Sequence, residues 1–174
     1  HSQSGPFGWL VADARPDLVK GILAIEPNGP PFKDIQFSGA PDWFGYGEDI
    51  ARAWGITRLP MTFDPPVETP EDLRPALDTS LGTDELASGY MPSSGPHTLP
   101  NLAGIPMLIV VGEASYHASY DHCTSAFLNW AGVDHDFQRL EDAGLTGNSH
   151  MIMMERNSAD VAALLMQWLA KRGL

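Results

Sequence analysis

The chain is short of positive charge, nearly devoid of cysteine and without a long apolar run, and each shortage narrows the field. Ten of its 174 residues are Lys or Arg against 22 Asp or Glu, giving a formal net charge of −12. Phosphate recognition needs clustered cations, so a nucleic-acid partner is disfavoured; the acidity itself serves solubility. The lone Cys123 has no partner for a disulfide within the chain, so cysteine usage says nothing about redox compartment. The longest apolar stretches, such as residues 105–111, are far too short for a bilayer, and no membrane span is expected. There is no phosphate-cradling glycine loop, no CxxC and no HExxH. His117, Asp121 and His122 invite a metal reading, but a five-residue histidine spacing does not bring both rings to one helical face. No metal and no other cofactor is expected.

What is present is globular composition, 43% hydrophobic and 18% charged, in a chain long enough for one folding unit with a real core. Residues 5–14 suit a buried helix that ends at Arg15-Pro16-Asp17. Ile22-Leu23-Ala24-Ile25 has the look of a strand buried on both faces. From Pro27 to Pro106 the chain holds 13 of its 15 prolines, which predicts loops and short helices in place of a continuous sheet. Regularity returns with a second buried strand at 105–113, a helix over about 117–131, a shorter strand at 134–140 and a loop at 144–149. Val161, Leu164, Leu165, Trp168 and Leu169 then form the stripe of an amphipathic helix. Strands alternating with helices predict a parallel sheet flanked by helices, an α/β fold. The expected division is residues 1–31 and 105–174 as core, with 32–104 as a Pro-rich insertion or cap.

The chemistry is expected at the start of the chain. In His1-Ser2-Gln3-Ser4-Gly5 a serine sits where a strand turns sharply into a helix, Ser4 is the small residue two positions on, and Gly5 lets the helix approach closely: the pattern of a nucleophile elbow. An ordinary Ser/Gly turn capping a helix is the competing reading. A serine hydroxyl needs a histidine to take its proton and a carboxylate to orient that histidine. In α/β hydrolases the order is serine, acid, histidine, and of six histidines only His150, in the loop before the last helix, occupies the required place. The acid stays open on the residues alone. Glu113 and Asp121 follow the strand after the insertion, the usual site, while Glu26 ends the strand beside the elbow.

HSQSG, AIEP and GNSHMIMMERN together resemble an unusual bacterial serine-esterase branch of the α/β-hydrolase superfamily, over residues 1–31 and about 105–172. The resemblance implies the C-terminal part of a hydrolase sheet, with Ser2 as nucleophile, Glu26 as acid and His150 as base. It also implies a small-molecule ester as substrate. The insertion departs from the branch. Trp43, Phe44, Tyr46, Trp54, Phe63 and Tyr90 are candidate pocket walls or equally the core of a small cap, and Met151, beside His150, is a candidate substrate wall or packing filler. Gln3 supplies one backbone donor of an oxyanion hole; the second belongs to a loop upstream of His1. Three strands are few for such a sheet, and no leader or initiating methionine precedes Ser2. The expectation is that an upstream half of the same precursor stays bound as a separate chain. Location stays open, leaning to secreted or periplasmic. The competing functions are a non-catalytic binding module built on an elbow-like turn, and a lyase or isomerase on the same fold.

Overall fold

The structure, a computed structural model, describes residues 1–37 and 44–174. Helix α1 (Gly5–Ala14) has Pro6 in its first turn, where a missing N–H costs nothing, and it buries Trp9 and Ala12. Strand β1 (Ile22–Ile25) follows. Within the proline-rich stretch lie β2 (Ile35–Phe37), β3 (Phe44–Tyr46), β4 (Pro75–Asp78) and β5 (Gly89–Pro92), then β6 (Met107–Val111), α2 (Asp121–Trp130), β7 (Asp136–Arg139) and α3 (Ser158–Arg172) complete the chain.

The core is a three-stranded parallel sheet in the order β1-β6-β7. Central β6 has all five residues buried, which is why it reads as an unbroken apolar run. Its side chains divide by the period of two. Met107 and Ile109 join Trp9, Ala12, Phe127 and Leu128 on the face covered by α1 and α2. Leu108 and Val110 join Val161, Leu164, Leu165 and Trp168 under α3. The parallel sheet flanked by helices agrees with the α/β expectation and is compatible with part of such a fold.

The stretch between β1 and β6 departs from the expectation of loops and short helices. It carries two antiparallel pairs, β2 with β3 and β4 with β5. Prolines did not forbid the second pair because Pro75 and Pro92 stand opposite each other at its end, and proline is tolerated at edges and strand ends. Trp54 and Phe63 are buried in the same cluster as α1 and α2, so both are core residues. Tyr46 meets Tyr90 edge-to-face at 4.8 Å and donates its hydroxyl hydrogen bond to the Ser88 carbonyl. Trp43 lies outside the described residues, as does the side chain of Phe44.

The helix expected from 117 starts later. Residues Tyr116–Ser119 form a 3-10 turn capped by Ser115, whose Oγ accepts from the His117 N–H at 3.1 Å, and Tyr120 breaks the path before α2 begins. Cys123 on α2 is fully buried, and burial pushes its thiol up to about 12, helped by Asp121 and Asp78. A thiol so poor in thiolate is a poor nucleophile. We expect no alkylation of Cys123 by iodoacetamide at pH 8 in the folded protein and prompt labelling in denaturant, read by intact mass; labelling of the folded state would contradict this burial.

Candidate active site

Ser2 sits where β1's continuation meets the chain entering α1. Its N–H donates to the carbonyls of Ile25 and Glu26 at 3.2 and 3.0 Å, its carbonyl accepts from Asn28 and Gly5 at 2.9 Å each, and it forms a parallel bridge with Pro27. The backbone pays for this position: Ser2 has φ 52° and Glu26 φ 45°, left-handed conformations that cost non-glycine residues about 1–3 kcal/mol each. The turn is possible because Gly5 has no side chain, since a Cβ there would stand 2.6 Å from the Pro27 Cβ.

Glu26 is wholly buried and accepts three hydrogen bonds. Gly112 N–H reaches Oε1 at 2.9 Å, Ser115 Oγ reaches Oε2 at 2.6 Å, and His150 Nδ1 reaches Oε2 at 2.6 Å. A buried carboxylate is tolerated only when so satisfied. With Nδ1 donating to Glu26, the other ring nitrogen of His150 is left as an acceptor, and it lies 3.0 Å from Ser2 Oγ. The structure thus brings Ser2, Glu26 and His150 into one hydrogen-bonded line.

The two other carboxylates go elsewhere. Glu113 Oε2 accepts from the Gly147 N–H at 2.9 Å. Asp121, also fully buried, lies 3.0 Å from His117 Nδ1. His150 itself is held from several sides. Asn148 and Asn157 exchange amide hydrogen bonds, Ser149 donates its N–H and hydroxyl to Glu155, and His1 Nε2 donates to the His150 carbonyl at 2.9 Å. The loop presses so closely on the sheet that a Cβ on Gly112 would stand 2.4 Å from the Asn148 carbonyl oxygen. Three rings surround the imidazole: His1 at 4.7 Å, Tyr116 at 5.0 Å, and His117 stacked parallel at 4.7 Å with planes 8° apart.

Among the described residues, Gln3 N–H has no acceptor, although the N–H groups of Ser2, Ser4 and Gly5 around it are all bonded. A cavity of about 270 Å³ opens beside it, lined by Gln3, Pro6, Phe7, Leu10, Asn28, Arg52, Arg58 and Leu59. Neither Tyr46 nor Met151 belongs to that lining; Met151 stands exposed next to His150. Glu26, His117 and His150 offer ligand atoms within 4.8 Å of one another. Those of Glu26 and His150 are committed to each other, His117 Nδ1 faces Asp121, and parallel rings do not converge their lone pairs on one point. The donor set suits hydrogen bonding better than metal coordination.

Ser115, His117 and His1 are the contributors the residue pattern did not single out for this site. Ser115 and His117 belong to the aromatic-rich SYHASYDH stretch after the central strand, where an acid would ordinarily be sought, and the only sequence signal was that location.

The chain is 39% identical over 174 residues, 99% of its length, to a protein named "Probable secreted lipase phiG" from Fungal sp. (strain ATCC 74256). The match spans 45% of that relative, so the chain corresponds to somewhat less than half of it. No family model matches the chain, and no solved structure matches it significantly.

Proposed function

We propose that this chain carries the catalytic residues of a serine hydrolase of the α/β-hydrolase type that cleaves carboxylic esters through an acyl-enzyme on Ser2. The observation that carries the reading is the line Ser2 Oγ to His150 Nε2 at 3.0 Å and His150 Nδ1 to Glu26 Oε2 at 2.6 Å, with Ser2 on a left-handed turn. The similarity to a protein named a lipase supports a lipase- or esterase-like hydrolase.

In this reading Ser2 Oγ attacks the ester carbonyl as His150 Nε2 takes its proton. The new C–O bond forms while the carbonyl π electrons move onto oxygen, and Gln3 N–H, unbonded among the described residues, receives that oxyanion. His150 then protonates the departing alkoxide, leaving acyl-Ser2. Water, deprotonated by His150, then attacks the acyl carbonyl; the acyl C–Oγ bond breaks, Ser2 Oγ takes the proton back from His150, and the acid is released. Glu26 orients the imidazole and stabilises the imidazolium.

The second oxyanion donor and the remaining strands are proposed to come from an upstream half of the same precursor. Among the described residues β1 pairs on one side only, with β6, and Phe7, Val11 and Leu18 stand exposed on and just after α1. Both features suit a partner that extends the sheet at β1. The word "secreted" in the relative's name favours a secreted location.

A fluorophosphonate probe tests the reading. In the complete assembly we expect one covalent label, on the peptide containing Ser2, together with hydrolysis of 4-nitrophenyl esters. Absence of both in folded protein would favour a binding module; labelling of Ser2 without ester hydrolysis would favour a lyase or isomerase on this fold.

A further inference from the structure

We infer that His117 is a positioning residue for the base: it supplies a flat, uncharged face against which the His150 imidazole is held and on which the imidazolium is stabilised. The inference rests on the hydrolase reading above and extends it to a residue outside the Ser2-His150-Glu26 line.

The geometry is specific. His117 and His150 are stacked with centroids 4.7 Å apart and planes 8° from parallel, whereas His1 and Tyr116 meet the same ring at 34° and 48°. Stacking of this kind leaves a ring free to slide but not to tilt. Tilt is what would break either end of the hydrogen-bonded line, because its two bonds use opposite ring nitrogens, whose N–H and lone pair both point along the ring plane. His117 in turn cannot tilt, being 1% exposed and bonded at Nδ1 to the buried Asp121.

The 3-10 turn makes the coupling tighter. Ser115 both caps that turn through the His117 N–H and donates to Glu26 Oε2. One short segment therefore fixes the carboxylate on one side of His150 and the stacking face on the other.

Charge completes the account. When His150 accepts the serine proton it becomes a cation, and a π face beside a cation attracts it while a second imidazolium would repel it. Burial holds His117 down to about 4, only partly opposed by the nearby Glu26. Burial, with Glu26 adding to it, holds Asp121 well above the ordinary carboxylate range. The groups facing this pair are Glu26, Tyr116, Tyr120, Cys123 and His150, and none of them supplies a fixed positive charge. His117 is neutral at working pH, and with Nδ1 engaged by Asp121 it is not a second base.

His117→Ala and His117→Phe test the idea in the complete assembly with a 4-nitrophenyl ester. A displaced catalytic group costs on the order of 10²-fold. We expect His117→Ala to lower kcat by roughly 10- to 100-fold with KM within about twofold, and His117→Phe, which restores a flat neutral face, to recover at least tenfold of that loss. Wild-type kcat in a folded His117→Ala protein would overturn the proposal. So would a His117→Phe protein of unchanged melting temperature that is as impaired as the alanine variant, since the ring nitrogens and not the face would then matter. Should His117→Ala fail to fold, the phenylalanine variant alone decides. If the wild type neither turns over ester nor labels at Ser2, it is the hydrolase reading that fails, an outcome separate from either variant's.

Discussion

Ser2→Ala is expected to lower ester turnover by the complete assembly about 10⁴-fold or more, with the melting temperature little changed. The size follows from what the hydroxyl does. Among the described residues it is the group that bonds His150 Nε2, at 3.0 Å, and on the proposed reading no acyl-enzyme forms without it. What remains is the donor at Gln3 and whatever binding the cavity beside it supplies. The effect on stability follows from the backbone. Ser2 stands at φ 52° with its N–H and carbonyl fully engaged, so the strain belongs to the turn, and deleting the hydroxyl oxygen gives up its bond to the part-buried His150 Nε2 while leaving the backbone bonds intact. Turnover against a 4-nitrophenyl ester and thermal unfolding of the same preparation check the two halves. A variant retaining a tenth of wild-type turnover would remove Ser2 from the mechanism.

Replacing the acid comes next in size. Glu26→Gln should lower kcat by about 10³- to 10⁴-fold at neutral pH. The amide keeps the shape but offers one oxygen where the carboxylate offers two, and three donors now compete for it: Gly112 N–H, Ser115 Oγ–H and His150 Nδ1–H. A glutamine N–H directed at His150 favours the tautomer that leaves Nε2 protonated, and a protonated Nε2 cannot accept from Ser2. Glu26→Ala should be as inactive and less stable, because the Gly112 N–H and the Ser115 hydroxyl are left buried without a partner, at roughly 1–3 kcal/mol each. Glu113→Ala is the control. It loses one bond to Gly147 and is expected to stay within about threefold of wild-type kcat. The reverse pattern, a tolerant Glu26 and an essential Glu113, would move the acid to the loop after β6.

How much of this could be read from the chain depends on how local each feature is. β1 and β6 announce themselves because a strand buried on both faces must be apolar at every position, and Met107–Val111 is. The stripe of α3 is visible for the same kind of reason, since Val161, Leu164, Leu165 and Trp168 all meet one face of the sheet. The four strands of the insertion were hidden because three or four residues leave too short a pattern to recognise, and prolines at 75 and 92 disguise a pairing that exploits strand ends. The places of Ser2 and His150 along the chain were legible from the elbow pattern and the order of elements; the distance between their side chains was not. Three carboxylates competed for the acid because sequence position fixes a strand end but not the direction of a side chain. That Ser115 turns inward onto Glu26 while Glu113, two residues earlier, turns out to Gly147 depends on a 3-10 turn and on the register of three strands. Neither leaves a mark in residue type.

The bridge between Ser2 and Pro27 also bears on how the site comes into being. Nucleophile and carboxylate are 24 positions apart along the chain and joined through adjacent backbone, whereas His150 lies 148 positions from Ser2 and 124 from Glu26. Closing a loop costs more entropy the longer it is, and contacts of large sequence separation are the slow ones to form. The backbone link between serine and carboxylate is therefore the short-range part of the site, whereas the carboxylate's bonds to Gly112 and Ser115 and both bonds of the imidazole span 86 residues or more. On the proposed hydrolase reading, a chain whose 144–150 loop has not docked has no base beside Ser2 and would leave esters intact.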